Sequence, residues 1–249
     1  MQVTDSARKT ATKSFTLVVD PPPVQVTGAA ELSDPATQAS LKLCLAEAFP
    51  LEITGQMTLS FQPDAVDPAD DPAIQFSTGG RTVPFQIPAN STDAAFSAPA
   101  VALQTGTVAG TITLRVSLEA GGKDVTPTPA PTRTVRILRA APVIPSVRLT
   151  RTSSGFEVLV TGFSTPREVT SATFRFSSAP DANLQTAEVT LPMTQLAGPW
   201  YQSQESWQFG SQFALRQSFT VQGDINAVAA VAVVLTNSVG SSQATSASF

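Results

Sequence analysis

Apolar and polar residues alternate with a period of two along much of the chain. Phe15, Leu17 and Val19 are separated by Thr16 and Val18, and Met57, Leu59 and Phe61 alternate with Thr58, Ser60 and Gln62. Ile112, Leu114, Val116 and Leu118 alternate with Thr113, Arg115 and Ser117. The second half repeats the habit with Phe156, Val158 and Val160, and again with Phe174 and Phe176. Successive side chains of a strand point to opposite faces, so each run buries one face and wets the other. Apolar runs of helical period are nearly absent. Strand-like runs spaced by roughly 8 to 12 residues, with turn residues between them, predict an all-β chain of sandwich type.

Proline marks the seams. Pro21-Pro22-Pro23 offers no backbone donors and prefers an extended conformation, so it closes one unit and spaces the next. A second seam lies at Ala140-Ala141-Pro142, with Pro145 close behind. The Thr-Pro-Thr-Pro-Ala-Pro stretch at 126–131 belongs inside the first unit, because Thr134 to Leu138 after it reads as a last strand. The chain therefore divides into an N-terminal arm over 1–20, a sandwich over 21–139 and a second sandwich over 140–249. Gly79-Gly80 and Gly121-Gly122 sit between strand-like runs, as two-residue hairpin turns require.

An internal repeat sharpens this organisation. Val3-Thr4-Asp5-Ser6-Ala7-Arg8, followed by Ala11-Thr12-Lys13-Ser14-Phe15, matches Leu235-Thr236-Asn237-Ser238-Val239-Gly240, followed by Ala244-Thr245-Ser246-Ala247-Ser248-Phe249. Both copies read as strand, turn, strand. The pattern resembles the closing hairpin of bacterial immunoglobulin-like repeat domains, found in large secreted or surface proteins. The stretches Arg167-Glu168-Val169-Thr170 and Phe219-Thr220-Val221-Gln222-Gly223-Asp224 have the same character. The resemblance implies tandem Ig-like β-sandwich domains preceded by a β-hairpin or strand arm. It further implies a noncatalytic structural or adhesive module at the cell surface or outside the cell, with protein or polysaccharide partners. The arm is then either the end of a preceding domain or a donor strand for self-association, with Phe15, Leu17 and Val19 as its apolar face.

Composition narrows the chemistry. Of 249 residues 42% are hydrophobic and only 14% charged, against about 25% in an average globular domain. There is no histidine, which removes Ser-His-Asp and Cys-His catalysis and histidine zinc sites. The lone Cys44 removes intramolecular disulfides and CxxC motifs, and a buried, inert thiol is expected of it. Net charge is −4, with one acid and three bases in 1–19, 12 acids and 7 bases in 20–139, and 6 acids and 5 bases in 140–249. Neither sandwich carries the basic field that nucleic acid needs. The longest apolar stretch, Ala227 to Leu235, is strand-sized rather than membrane-spanning, and Gln2-Val3-Thr4-Asp5 does not open like a secretory leader.

Two clusters remain as candidate sites. Asp64, Asp67, Asp70 and Asp71, stiffened by Pro63, Pro68 and Pro72, offer the oxygens that calcium selects, although the EF-hand spacing is missing; otherwise they form a solvated loop. No other cofactor is expected. Trp200, Tyr201 and Trp207, flanked by Gln202, Gln204, Glu205 and Gln208, have the make-up of an aromatic platform for sugar rings or a protein partner; otherwise one Trp plugs the sandwich core and the other covers an end of it. Glu47 and Glu52 read as surface charges rather than a glycosidase pair. Lys42 and Lys123 show no partner pattern for an isopeptide crosslink, and Asn90-Ser91-Thr92 reads as a loop that happens to fit a glycosylation sequon.

Overall fold

The computed structural model describes residues 2–4, 6–8, 10–12 and 20–249. Phe15, Leu17 and Val19 lie outside the described residues. Before them, β1 (Gln2–Thr4) and β2 (Thr10–Thr12) form an antiparallel hairpin that pairs Val3 with Ala11. Its counterpart in the repeat is also an antiparallel pair, at the C-terminal end of the chain.

The first sandwich starts with β3 (Val24–Thr27), β4 (Gln38–Leu45), β5 (Ile53–Pro63), β6 (Ile74–Phe76) and β7 (Thr82–Ile87). It continues with β8 (Ala95–Phe96), β9 (Val101–Thr105), β10 (Gly110–Ala120), β11 (Lys123–Asp124) and β12 (Thr132–Ile137). One sheet runs β3-β4-β9-β6; in the other β10 pairs with β11 and β12 on one side and leads through β5 and β7 to β8 on the other. The alternation read from the sequence sets the register. Ile112, Leu114 and Val116 stand opposite Phe61, Leu59 and Met57, and all but Phe61 are buried. Burying each such aliphatic side chain contributes about 1.5–3 kcal/mol. This core extends from Ala29 to Ile137.

The second sandwich comprises β13 (Val143–Thr152), β14 (Gly155–Phe163), β15 (Ser171–Ser178) and β16 (Glu188–Pro192). Two short helices follow, α1 (Thr194–Gln202) and α2 (Gln204–Trp207), and then β17 (Gln212–Thr220), β18 (Val228–Thr236) and β19 (Thr245–Ser248). Its sheets run β13-β14-β17 and β16-β15-β18-β19. Its core, from Ile144 to Leu235, is separate from the first and includes Phe156, Phe174 and Tyr201. The strand order β3-β4-β9 repeats as β13-β14-β17, and β7-β5-β10-β12 as β16-β15-β18-β19, while β6, β8 and β11 have no counterpart among the described residues. The edge of β9 is covered by β6, whereas no strand among the described residues covers the equivalent edge of β17.

Three expectations need correction. Helical turns occur after all: Met193, Ala197, Trp200 and Tyr201 recur at helical spacing, and burial of Tyr201 holds α1 together despite Gly198 and Pro199 inside it. Cys44 is only half-buried, because Leu41, Leu43 and Leu45 take the inner face of β4 and leave it on the outer one. Gly121-Gly122 does form a two-residue hairpin turn, closed by the Ala120–Lys123 pair, with φ of 58° and 73°. Gly79-Gly80 does not, since β6 and β7 belong to different sheets and the chain crosses between them there.

Candidate functional site

The acidic loop of the first sandwich does not gather its carboxylates; it points them to different partners. Asp64 pairs with Arg139 at 2.6 Å and Asp70 with Arg81 at 2.7 Å, both at the surface, where such pairs are worth about 0–1 kcal/mol. The Asp67 main-chain oxygen accepts from Arg167 Nε at 2.9 Å. Asp71 is 1% exposed, and its Oδ2 accepts from Thr107 N at 2.6 Å, Thr107 Oγ1 at 3.1 Å and Val108 N at 3.1 Å, while Oδ1 accepts from Ala73 N at 2.9 Å. The Asp71 oxygens are thus engaged by three backbone donors and one hydroxyl, and Asp64 and Asp70 by arginines. Among the described residues no three acidic or sulfur side chains come together around a metal-sized space.

The arrangement serves the junction between the sandwiches instead. Ser211 N donates to Thr107 Oγ1 at 3.0 Å, and Ser211 Oγ donates to the Thr107 carbonyl at 2.8 Å. Ala109 N donates to the Thr165 carbonyl and Val66 N to the Pro166 carbonyl, each at 2.8 Å. Thr107 therefore joins Asp71 of one sandwich to Ser211 of the other. The connecting segment is tied as well, with Ala140 N donating to Thr165 Oγ1 at 2.8 Å and Asn237 Nδ2 to the Ala140 carbonyl at 2.8 Å.

Arg167 is the second centre of this junction. It is 2% exposed, adopts φ of 55°, and donates to the carbonyls of Asp67, Gly210 and Tyr201 and to Ser206 Oγ. Left-handed backbone costs a non-glycine residue about 1–2 kcal/mol, so the surrounding bonds must hold it. The guanidinium also lies 5.1 Å from the Tyr201 ring. Burial pushes the Arg167 pKa down, and the charges of Asp67, Tyr201 and Asp71 oppose that shift. Gly210 sits between the two centres at φ of 62°: a Cβ there would come within 2.5 Å of Asp71 Oδ2. The site needs a left-handed residue without a side chain, which only glycine supplies at low cost.

The aromatic cluster divides. Tyr201 is 1% exposed and its hydroxyl donates to the Ser211 carbonyl at 3.0 Å, so its place on a surface platform is corrected: it belongs to the core and the junction. Burial pushes its phenol pKa well above the ordinary value, with Arg167 pulling the other way. Trp207 is half exposed, and Trp200 stacks on Phe209 with ring centroids 6.1 Å apart. Trp200 also stands between two apolar cavities of about 340 and 450 Å³ beside β17.

Sequence reading missed Thr107, Arg167, Gly210 and Ser211. Their partners lie up to 104 positions away, and no local period marks them.

No family model matches the chain, and no curated protein matches it in sequence. Among solved structures it is similar to the class 5 fimbriae chaperone CfaA, at 9% identity over 86% of this chain and 92% of that one, with a TM-score of 0.29. It is similar also to the Salmonella enterica SafA pilin in complex with the SafB chaperone, at 12% identity over 96% of this chain and 99% of that one, TM-score 0.27. Chicken CNTN1 FN1-FN3 domains show 11% identity over 100% of this chain and 75% of that one, TM-score 0.24. At these scores the similarity concerns the all-β sandwich class and says nothing of function. Among the described residues no helix is long and apolar enough to cross a membrane.

Proposed function

We propose that this chain is a noncatalytic structural module of a secreted bacterial surface protein, of the immunoglobulin-like repeat kind. Its task in this reading is to hold two sandwiches at a fixed angle, so that whatever they carry is presented in a set direction. The supporting observation is the junction. Tandem sandwiches joined by a bare linker move independently by default. Here buried Ser211 bonds to buried Thr107 and buried Arg167 to the Asp67 carbonyl across the seam, buried Asp71 holds Thr107 from its own side, and these bonds are directional. Any relative rotation leaves buried donors and acceptors unpaired, at about 1–3 kcal/mol each.

A spin-label distance measurement tests this reading. In a Cys44→Ser background, labels at exposed Glu119 and Ser178 report one position on each sandwich. The expected result is one narrow distance distribution, broadened by Arg167→Ala. A broad distribution in the otherwise unaltered chain refutes the rigid-module reading.

A second reading, a binding module for polysaccharide or protein, rests on half-exposed Trp207 and the Trp200–Phe209 stack.

A further inference from the structure

We propose that the open edge of β17, with the two cavities beside it, receives the Phe15–Val19 segment of a second copy of this chain as an added strand. The edge is open for pairing beyond Gln212, whose own outward main-chain groups are already engaged within the chain. Trp200 Nε1 donates to the Gln212 carbonyl at 3.4 Å and Gln212 N donates to the Phe209 carbonyl at 3.1 Å, so the main chain of Gln212 faces away from β14. By the two-residue period of a strand, the main chains of Ala214 and Arg216 face the same way. No strand among the described residues pairs with them. An unpaired edge of this kind is a template for another chain.

The first sandwich shows what fits such an edge. There β6 pairs with β9 through Ile74–Thr105 and Phe76–Leu103, and it sends Ile74 and Phe76, two positions apart, into full burial. In the second sandwich no described strand lies beside β17 on that edge, and α1 together with two cavities flanks it instead. The smaller cavity is walled by Met193, Leu196, Trp200 and Leu215, the larger by Pro145, Phe163 and Phe209, and both touch Phe213 and Ala214. Their volumes fall in the range that accepts a ligand group.

The occupant follows from the chain itself. Phe15-Thr16-Leu17-Val18-Val19 repeats the spacing of Ile74 and Phe76, with large apolar residues at alternate positions and no charge. Residues 13–19, outside the described part, would span about 23 Å if extended, enough to follow β17 from Ala214 past Arg216. Among the described residues Arg216 is the only charged one lining either cavity, and its guanidinium is already engaged with Glu157 at 2.8 Å, so a neutral segment leaves no charge unpaired. Pro23, soon after the segment, bonds to Ala46 at the Leu45 end of β4, while the other end of β4 leads to Thr37 and Thr105, on the side of the junction. The arm thus leaves the first sandwich at the end away from β17. Pairing between copies is therefore head-to-tail, and such contacts do not close on themselves unless a rotation brings them round.

Light scattering on the full chain and two variants tests this. Ala214→Pro removes an outward-facing donor from the acceptor edge, where proline is tolerated, and leaves the arm intact. The double variant Phe15→Asp, Leu17→Asp spoils the arm and leaves the edge intact. Unaltered chain is expected to rise in mass above 26.0 kDa with concentration. Each variant alone is expected to stay monomeric, and an equimolar mixture of the two to stop at two chains. If Ala214→Pro does not fold by circular dichroism, Leu196→Asp at the exposed cavity rim replaces it. A monomeric unaltered chain, assembly that survives either variant, or a mixture that stays monomeric overturns the proposal. The outcome is independent of the angle between the sandwiches, so its failure and that of the rigid-module reading are separable.

Discussion

Replacing Asp71 by asparagine isolates what the buried carboxylate contributes, since shape and volume are nearly kept. Three donors converge on Oδ2, from Thr107 N, Thr107 Oγ1 and Val108 N, and one on Oδ1, from Ala73 N. An asparagine can keep its carbonyl toward the three only by turning its NH₂ toward Ala73 N–H, donor against donor. That orphans one buried group, at about 1–3 kcal/mol, and turns three charge-assisted bonds into neutral ones, each weaker by about 1 kcal/mol. The opposing effect is relief from burying a charge, which can make such replacements neutral or stabilising. We expect the lost bonds to dominate, for a net loss of about 3 kcal/mol, because several backbone donors face the carboxylate and Arg167 adds a favourable charge nearby. For a chain of this length, about 2–4 °C per kcal/mol gives a Tm lower by about 6–12 °C. Scanning calorimetry reads this directly, and the transition is also expected to split as the sandwiches uncouple. An Asp71→Asn chain melting within about 1 °C of the unaltered one, with a single peak, refutes the reasoning and shows that desolvation cancels the hydrogen bonds.

Gly210→Ala and Gly121→Ala adopt the same left-handed backbone, at φ of 62° and 58°, but only the first places a Cβ against Asp71, while the second meets open space. Chemical denaturation should therefore show a loss of about 1–2 kcal/mol for Gly121→Ala and at least twice that for Gly210→Ala, and equal losses would deny the close approach. Tyr201 is the only tyrosine, and its raised pKa means that the folded chain keeps the phenolic proton while the unfolded chain releases it near pH 10. Its contribution to stability is thus full below pH 10 and falls by up to about 1.4 kcal/mol per pH unit above it. Absorbance at the phenolate band should stay flat until the chain unfolds in base, and a smooth rise with an ordinary midpoint in folded protein would place Tyr201 at the surface.

The junction suggests how stiffness is obtained in a chain with so few charges. Surface ion pairs such as Arg139–Asp64 are exposed at 40% and 65% and contribute little. The buried bonds cost desolvation but fix geometry, since several of them converge on the same side chains, as on Arg167 and Thr107. The proline-rich seam at 140–145 helps less than the sequence implies. Its Ala140 is held by Thr165 and Asn237, so the connection is positioned by tertiary bonds as well as by restricted φ.

Local pattern determined the strands. Where Ile112, Leu114 and Val116 alternate with polar residues, water and core act on neighbouring positions oppositely, so the sequence alone specified which face is buried, while the partner β5 and its register came from the structure. It also marked Trp200 and Trp207 as unusual, though not that Tyr201 between them turns inward, because a helical turn with Gly198 and Pro199 forms only when a core is there to receive it. The acidic loop shows the limit most clearly. Asp64, Asp67, Asp70 and Asp71 are alike in sequence, yet two meet surface arginines, one offers its carbonyl to Arg167 and one is buried under Thr107 and Val108. Which carboxylate is buried depends on Thr107 and Val108, 36 and 37 positions away, and Thr107 is held in turn by Ser211, a further 104 positions on, once both sandwiches are folded and in contact. The periodicity of a strand is a short-range consequence of backbone geometry, whereas a junction is set by the directions of groups that share no period, and those only the tertiary structure decides.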